Sequence, residues 1–404
     1  MIKIGIIGKT NAGKTTLFNS MTLQSAEISN YPFTTKSPNT AVADVETLCV
    51  HKEFGVKDNP KNSKCEEGWR FIPIEVTDLP GLIKGAWMGK GLGNQFLSVA
   101  AQSDALLHVV DASGSVDKDG KVTEPGNGDP IADFADVELE LVLWYTKMFQ
   151  SNLVKIAKSS KLPGADLATA VTEVMQGIGV KKEHVNFAIS EALLGDKEIE
   201  NWNEKDIQNF CWVLRDVSKP TLIIANKMDL PSAAENFQKL REHYKDLIVV
   251  PTSGEAELSL RRAQTKGWIK YIPGEERFEV LKPQELNDAQ RTALAYIRRK
   301  VFGEYLRTGV QFALNITTFK LLKMNALYPV ADPEKLTDKS GNVLPDVYLL
   351  PAGSTLDDLA ESVHTDLHKG LLYAVDVRTG LHLPTDYTLR DRDVLSIVST
   401  SRRG

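Results

Sequence analysis

Cysteine is scarce in this sequence, long hydrophobic runs are missing, and both facts narrow the class of protein. The 404 residues include three cysteines, Cys49, Cys65 and Cys211, and no C-x-x-C pair. An odd number of widely separated cysteines argues against a disulfide framework or a zinc ribbon and favours a reducing cytoplasm. No apolar run approaches the ~18 residues that span a bilayer, and the apolar stretch at 2–8 is too short for a signal peptide. We therefore expect a cytoplasmic protein with no membrane partner.

Strong net charge is also missing. The formal charge is -5, with 25% charged and 42% hydrophobic residues, which is ordinary globular usage and excludes wholesale disorder. An acidic balance gives no global attraction to polyanions, so contact with RNA would need a local basic patch. The length allows two or three domains.

Short apolar runs recur through the first 255 residues, at 2–7, 71–76, 105–110, 221–225 and 247–250. Such runs alternating with helical stretches predict an α/β domain whose mostly parallel sheet is covered on both faces. About 110 residues separate the third run from the fourth, far more than a crossover between parallel strands needs. We therefore predict an insertion, which starts with a long mobile loop at 111–130 and continues as helices.

These patterns divide the chain into four parts. Residues 1–135 and 219–283 form the α/β domain, and 136–218 form an inserted helical subdomain in which Asn203 is a possible N-cap. A connecting helix lies within 284–310. Residues 311–404 form a small α+β domain, with one helix that begins at Ser354 and has the capping-box spacing to Asp357.

The most specific motif is the G-x-x-x-x-G-K-T sequence at Gly8–Thr15, which follows a predicted buried strand and precedes a helix. Backbone N–H groups of such a loop surround phosphates, Lys14 neutralises the β and γ charges, and Thr15 holds Mg²⁺. A glycine-rich turn without a ligand is the alternative. The residues that we predict to bind the phosphates are Asn11, Ala12, Gly13, Lys14, Thr15 and Thr16.

A D-L-P-G turn at Asp78–Gly81 follows the second predicted strand of the sheet. Ligands bind at the carboxyl ends of strands in open α/β sheets, so Asp78 is placed to reach Mg²⁺ through water. The Gly81 N–H is placed to sense the γ-phosphate. D-x-P-G is otherwise a common turn, and the phosphate loop upstream is what favours the catalytic interpretation.

The sequence Asn226-Lys227-Met228-Asp229 follows the predicted strand at 221–225. An aspartate here accepts hydrogen bonds from guanine N1–H and its exocyclic amine, whereas adenine lacks the N1–H. Asp229 therefore predicts selection of guanine, and the stem of Lys227 is able to lie along the base plane. Ser253 and Gly254, after the next strand, are placed to complete the base pocket through backbone N–H groups, although an ordinary loop explains them equally well.

With these motifs the chain resembles the Obg-related GTPases, specifically the archaeal branch of the YchF (Obg-like) translation-associated family. Further matches are Asn30–Thr35, Pro38–Thr40 and Gly91–Phe96. The resemblance implies a P-loop G domain interrupted by helices and a C-terminal TGS domain of β-grasp fold. His364-Thr365-Asp366 and Lys369-Gly370 are its candidate TGS signature.

The resemblance also implies roles for two residues. Thr35 would close onto Mg²⁺ and the γ-phosphate, with Thr34 the second choice and a strand-entry threonine the structural alternative. Asn11 would be a potassium ligand, for which a backbone-capping asparagine is an equal alternative. Together with the motifs, this makes Lys14, Thr35 and Gly81 the expected catalytic residues and Thr15, Thr35 and Asp78 the expected metal ligands.

Two departures from the family bear on its chemistry. Bacterial and eukaryotic relatives end the base motif with glutamate and accept ATP, whereas this chain has Asp229, so GTP is the expected substrate. Those relatives also place a candidate catalytic histidine after the third strand, and residues 111–135 contain none. That role is not carried over.

The expected activity is slow GTP hydrolysis. Leu82 follows Gly81 where Ras-like enzymes use a glutamine, and a leucine side chain cannot orient water. We expect a monomeric GTPase switch whose GTP and GDP states alter its contact with ribosomes or RNA. The alternatives are a nucleotide-dependent scaffold with negligible hydrolysis and an ATPase like the bacterial and eukaryotic relatives.

Overall fold

The computed structural model describes residues 1–23, 38–81, 84–88 and 93–400. These residues form two compact units. One holds Lys3–Ala41 and Glu75–Ala313, and the other holds Met1–Ile2, Val42–Ile74 and Leu314–Gly404. The segment Val42–Ile74 therefore shares its unit with the C-terminal part of the chain.

A seven-stranded sheet carries the N-terminal motifs, in the order β2-β4-β1-β5-β6-β7 with β3 on β4. The pairs β1–β4, β1–β5, β5–β6 and β6–β7 are parallel, and β3–β4 is antiparallel. This confirms the predicted α/β class. Its strands are β1 (Lys3–Gly8), β2 (Asn39–Leu48), β3 (Lys64–Glu66), β4 (Trp69–Asp78), β5 (Ala105–Asp111), β6 (Thr221–Asn226) and β7 (Val249–Pro251).

Ten α-helices are described between the phosphate loop and residue 265: α1 (Lys14–Thr22), α2 (His51–Phe54), α3 (Gly93–Gln102), α4 (Pro130–Ser151), α5 (Leu153–Ser159), α6 (Leu167–Met175), α7 (Lys182–Glu191), α8 (Glu204–Ser218), α9 (Ala233–His243) and α10 (Gly254–Thr265). Helices α4 to α8 form the predicted helical insertion around a shared apolar core. The predicted N-cap Asn203 is confirmed, because its side chain accepts from the backbone N–H of Asp206 at 2.9 Å.

Helix α4 begins at Pro130, six residues before the predicted start of the helical pattern at Asp136. The Asp129 carboxylate accepts from the backbone N–H groups of Ile131 and Ala132 at 3.0 and 3.2 Å. Proline is favoured at the first position of a helix because it has no N–H to satisfy there. An Asp-Pro start therefore extends the helix N-terminal to its apolar pattern.

The predicted connecting helix follows a two-stranded sheet of β8 (Ile269–Lys270) and β9 (Glu279–Val280). It starts after the N-cap Asn287 as α11 (Asp288–Tyr296), continues as a π-helical stretch (Ile297–Phe302) and ends in α12 (Gly303–Tyr305). Helix α13 (Val310–Asn315) and a second π-helical stretch (Ile316–Leu321) lead into the C-terminal sheet.

The C-terminal part is α+β, as predicted. Its five-stranded sheet has the order β11-β10-β14-β12-β13, in which β10 and β14 are parallel and the other pairs antiparallel. The elements are β10 (Met324–Val330), β11 (Tyr348–Pro351), α14 (Leu356–Val363), α15 (Thr365–Lys369), β12 (Leu371–Asp376), β13 (His382–Leu383) and β14 (Val394–Ser399).

The predicted start of the C-terminal helix is wrong by one residue. Thr355, not Ser354, is the N-cap, and it forms a capping box with Asp358. Both pairs have the same sequence spacing, so the motif alone does not choose between them. The register is set by burial, since Leu356, Leu359 and Ala360 face the core. Among the described residues, no helix has the length and apolar character to cross a membrane.

Candidate functional site

The phosphate loop connects β1 to α1 and has left-handed backbone at Asn11 (φ 63°) and Gly13 (φ 98°). A Cβ atom on Gly13 would lie 2.3 Å from Asn226 Nδ2, so glycine is required there by both its backbone angle and its surroundings. The loop thus leads into the first turn of α1, where backbone N–H groups have no partner within the helix. This arrangement is the one that binds phosphate.

Lys14 is buried against its own loop, with 7% of its surface exposed. Its Nζ donates to the carbonyl oxygen of Lys9 at 2.7 Å. Burial lowers the pKa of Lys14 to about 8, and the nearby Asp78 carboxylate opposes that shift. A polyphosphate offers this ammonium far stronger acceptors than one carbonyl does.

Thr15 and Asp78, which the sequence predicts as metal ligands, meet at the end of β4. Thr15 Oγ1 donates to Asp78 Oδ2 at 2.7 Å. Asp78 is fully buried, its Oδ1 has no hydrogen-bond partner among the described residues, and burial raises the pKa of the carboxyl group. A hydroxyl oxygen beside a buried carboxylate with an unused oxygen is a donor set suited to Mg²⁺.

The D-L-P-G turn lies directly against the phosphate loop. A Cβ atom on Gly81 would be 2.6 Å from Thr10 Oγ1 and 2.9 Å from the Thr10 backbone. Gly81 therefore packs against Thr10 of the phosphate loop, and the contact of its N–H with the γ-phosphate stays a prediction. Thr35, Thr34 and Leu82 lie outside the described residues, and their predicted roles stay predictions.

Asn226 joins three of the motifs through one buried amide. Its Nδ2 donates to the carbonyl oxygen of Ala12 at 3.1 Å. Its Oδ1 accepts from Gly254 N at 3.1 Å and from Thr252 Oγ1 at 3.2 Å. The phosphate loop, the end of β6 and the start of α10 are thereby fixed to one another, so Asn226 positions the site through contacts within the protein.

Lys227 has left-handed backbone (φ 64°), and its Nζ pairs with Asp111 Oδ2 at 2.9 Å. Asp111, at the end of β5, also accepts from the backbone N–H and hydroxyl groups of Ser113 and Ser115. With its ammonium held in this way, the aliphatic stem of Lys227 has a fixed course, as contact with a base plane requires. Asp111 was missed by the sequence analysis, although an acid at the end of a buried strand was a usable signal.

Asp229 lies half-buried at the edge of a cavity of about 600 Å³. The hydroxyl of Tyr296, on α11, donates to the Asp229 backbone oxygen at 2.7 Å. The connecting helix therefore fixes the turn that carries the predicted base-recognition residue.

The backbone N–H groups predicted to complete the base pocket already have partners. Ser253 N donates to the Thr308 carbonyl oxygen at 2.9 Å, and Gly254 N donates to Asn226. The Ser253 hydroxyl is buried without a partner among the described residues. The structure thus brings both residues to the site, where the Ser253 hydroxyl is the group with hydrogen-bonding capacity to spare.

The loop at 111–130, which the sequence predicts to be mobile, is held against the phosphate loop by a hydrogen bond. Residues Val116 and Val122 form a β-bridge, and Asn11 Nδ2 donates to the Gly120 carbonyl oxygen at 2.9 Å. Such a bond to a backbone carbonyl is what the sequence analysis expects if Asn11 caps the backbone instead of binding potassium. The carboxylates of Asp111 and Asp117 accept backbone hydrogen bonds that close turns. These turns order a segment whose composition by itself predicts mobility.

Helix α4 contacts the site at two places. Lys9 Nζ pairs with Asp133 Oδ1 at 2.5 Å, and Glu140 accepts from the backbone N–H groups of Gly85 and Trp87 at 2.7 and 3.1 Å. The sequence analysis missed both acids. Gly85 and Trp87 follow the D-L-P-G turn, so one helix of the insertion holds both the phosphate loop and the segment after that turn.

Comparisons with known proteins agree with this geometry. Residues 3–132 match the family described as 50S ribosome-binding GTPase, 224–332 match the Obg-like GTPase YGR210-like, G4 motif-containing domain, and 337–399 match the TGS domain. A protein of Methanocaldococcus jannaschii named a GTP-binding protein is 41% identical, and the match covers 100% of both chains. The ribosome-binding ATPase YchF of Bacillus subtilis is 32% identical over 78% of this chain and 80% of its own.

A solved structure, that of a GTP-binding protein from Pyrococcus horikoshii OT3, is 35% identical. It aligns with a TM-score of 0.78 over 99% of this chain and 100% of its own. The shared domains, the phosphate loop and the full-length identity lead to one conclusion: this chain is a member of the YchF (Obg-like) family of P-loop GTPases, with a C-terminal TGS domain.

Proposed function

We propose that the protein binds GTP and hydrolyses it slowly to GDP and phosphate, and that its nucleotide state controls a contact with ribosomes or RNA. The observation that carries the proposal is the Asn226 amide, which joins the phosphate loop to the base motif. It sets the two ends of a nucleotide site in one rigid frame. The protein acts as a cytoplasmic monomer in this proposal.

Selection of guanine rests on the Asp229 carboxylate. Its turn is held by Tyr296 on one side and follows the anchored Lys227 on the other. A fixed carboxylate accepts two hydrogen bonds from guanine, whereas adenine presents it with a lone pair. Sites that depend on such hydrogen bonds prefer the ligand that forms them over one that cannot by a factor of roughly 10⁴ or more.

Hydrolysis depends on charge neutralisation at the phosphates. Lys14 would leave the Lys9 carbonyl for the β- and γ-phosphates, and the Gly81 N–H would contact the γ-phosphate. Thr15, Asp78 and Thr35 would hold Mg²⁺, which when bound would supply positive charge to the phosphates. Leu82 offers no group that orients water, so the intrinsic rate is slow.

A potassium ion is proposed to raise that rate, with Asn11 as one ligand. For this, Asn11 would have to exchange its bond to Gly120 for contact with the ion and the phosphates. Hydrolysis that is equally fast in potassium and sodium buffers would remove potassium from the proposal.

Helix α4 supports a switch. It holds the phosphate loop through Asp133 and the segment after the D-L-P-G turn through Glu140. Any movement of that segment on loss of the γ-phosphate therefore acts on the helical insertion. Ribosomes are the proposed partner because the Bacillus subtilis relative is named ribosome-binding.

The decisive experiment is a titration of labelled GTP, GDP and ATP against the purified protein, followed by phosphate release under multiple turnover with and without ribosomes. We expect guanine nucleotides to bind far more tightly than ATP and ribosomes to accelerate release. Fast hydrolysis that ignores both ribosomes and potassium would contradict the switch. Tight binding without any turnover would instead favour the scaffold alternative.

ATP hydrolysis is the second candidate, because the Bacillus subtilis relative is named an ATPase. The phosphate contacts described above do not distinguish the two nucleotides. Competition does: if ATP displaces labelled GDP as well as GTP does, the ATPase alternative holds.

Nucleotide affinity should fall as the pH rises above about 8. The pKa of Lys14 is about 8 in the free protein, and pairing with phosphates raises it. Above pH 8 the bound state therefore carries more protons than the free state, and the dissociation constant rises by up to about tenfold per pH unit. Titrations of labelled GDP at pH 7, 8 and 9 measure this.

Lys14→Arg is the control for that titration, because a guanidinium keeps its charge through this range. Ionisation of the nucleotide is common to both proteins and cancels in the comparison. Parallel profiles for the two proteins would show that Lys14 does not titrate on binding.

A further inference from the structure

Four side chains that commonly ligate metals meet in the smaller unit, and none of them belongs to the nucleotide site. Cys49 follows β2, His51 begins α2, Asp58 lies in the connection after α2, and Cys65 is on β3. One ligand atom from each lies within 4.8 Å of the other three. Because the set has no C-x-x-C pair, its spacing in the sequence does not indicate a metal site. The turns after β2 and the short strand β3 bring the four residues together.

Three of the six distances between the four atoms match the edges of a tetrahedral site. With zinc bond lengths of about 2.3 Å to sulfur and about 2.0–2.1 Å to nitrogen and oxygen, tetrahedral edges are about 3.6 Å (S···N), 3.5 Å (S···O) and 3.3 Å (N···O). The corresponding distances are 3.5 Å for Cys65 Sγ to His51 Nδ1, 3.3 Å for Cys49 Sγ to Asp58 Oδ2 and 3.4 Å for His51 Nδ1 to Asp58 Oδ2. Each is within about 0.2 Å of its ideal edge.

Arg70, on β4, completes the surroundings. Its fully buried guanidinium donates from Nε to Cys49 Sγ at 3.3 Å and from Nη2 to Asp58 Oδ2 at 3.0 Å. Hydrogen bonds of this kind orient metal ligands and stabilise a thiolate. The same guanidinium donates to the Leu344 carbonyl oxygen and lies over the Tyr328 ring, which ties the cluster to the C-terminal sheet of its unit.

The charges balance with and without a divalent ion. Arg70 and Asp58 cancel when both thiols are protonated and the imidazole is neutral. Binding one M²⁺ releases two thiol protons to solvent, and two thiolates then cancel the ion. A buried cationic arginine is thus compatible with a dithiolate site, because the assembled group carries no net charge.

We propose that the smaller unit holds a structural zinc ion, ligated by Cys49 Sγ, His51 Nδ1, Asp58 Oδ2 and Cys65 Sγ. Two thiolates, one imidazole and one carboxylate at these spacings suit Zn²⁺, whereas Mg²⁺ and Ca²⁺ prefer oxygen ligands. Four protein ligands leave no open position, so the role is structural. The ion fixes the segment at 49–65, which Arg70 fastens to the C-terminal sheet.

The test uses untagged full-length protein purified without chelators. Elemental analysis should find about one zinc per chain, and replacement by Co²⁺ should give tetrahedral d–d bands with a thiolate-to-cobalt charge-transfer band. Cys65→Ser should weaken that band and lower metal affinity at least ~10²-fold, since even loss of an outer hydrogen-bond partner costs about 10–100-fold. Cys211→Ala, in the core of the helical insertion, is the matched control and should retain the metal.

Binding of labelled GDP verifies that the larger unit, which holds the nucleotide site, is folded in each variant. Removal of the ion from the wild-type protein should lower its melting temperature and leave that of Cys65→Ser unchanged. Reduced protein that takes up neither zinc nor cobalt would overturn the proposal. So would identical cobalt spectra for Cys65→Ser and the control, or a Cys49–Cys65 disulfide in freshly purified protein.

Discussion

Asp229→Asn is expected to change the preferred base from guanine to xanthine. Xanthine carries an oxygen where guanine carries its exocyclic amine, so it needs a donor where guanine needs an acceptor. An asparagine amide supplies that donor without a change of shape. Two hydrogen bonds to a charged group contribute about 3–6 kcal/mol, so GDP affinity should fall by about 10²–10⁴-fold while xanthosine diphosphate gains. Competition against a labelled nucleotide measures both changes.

Glu255→Gln is the matched control for this substitution. Glu255 borders the same cavity as Asp229 and is exposed at the start of α10. Its loss should leave the choice of base unchanged. If both variants weaken GDP equally and neither accepts xanthosine nucleotides, general electrostatics rather than base recognition would explain the effect of Asp229.

Lys14→Met is expected to abolish most hydrolysis while making the free protein more stable. Loss of one preorganised charge at the transferred phosphate costs about 10²–10³-fold in rate. In the free protein the same charge is buried, and the pKa near 8 shows that folding disfavours it. Removal of that cost should raise the free energy of unfolding at pH 7 by about 1–3 kcal/mol. Single-turnover phosphate release and denaturant unfolding measure the two effects.

Lys219→Met separates the two effects. Lys219 is also buried, burial lowers its pKa to about 8, and its Nζ donates to the Ser103 carbonyl oxygen at 2.8 Å. It lies outside the nucleotide site, so its replacement should leave hydrolysis unchanged. A loss of activity as large as that of Lys14→Met would mean that burial of charge, rather than phosphate contact, accounts for the phenotype.

The sequence predicted the parts of the site that depend on local order along the chain. A glycine-rich loop between a strand and a helix is a local pattern, and it placed Lys14 and Thr15 correctly relative to β1 and α1. Asp78 was also predictable, because parallel strands end at one edge of a sheet. The contact between Thr15 and Asp78 follows from that rule.

Contacts between distant segments were not predictable in this way. Asp133 and Glu140 lie on a helix whose periodicity shows only its apolar face, and their partners are 124 and 55 residues away. In the sequence, an acid that is buried on a helix cannot be told from a solvated acid unless the segment that it contacts is known. The six extra residues of α4 and the one-residue shift of α14 have a different origin. The Asp-Pro start extends α4 beyond its apolar pattern, and burial sets the start of α14 between two equal capping-box spacings.

The length of α4 has a mechanical consequence. Its 22 residues extend about 33 Å, and about 16 Å separate Glu140 from the C-terminal end of the helix. With the Lys9 contact at Asp133 as the pivot, Glu140 lies about 10 Å from the pivot and the C-terminal end of the helix about 27 Å from it. A displacement of the segment after the D-L-P-G turn, which acts at Glu140, would thus be enlarged about 2.5-fold at the C-terminal end of α4.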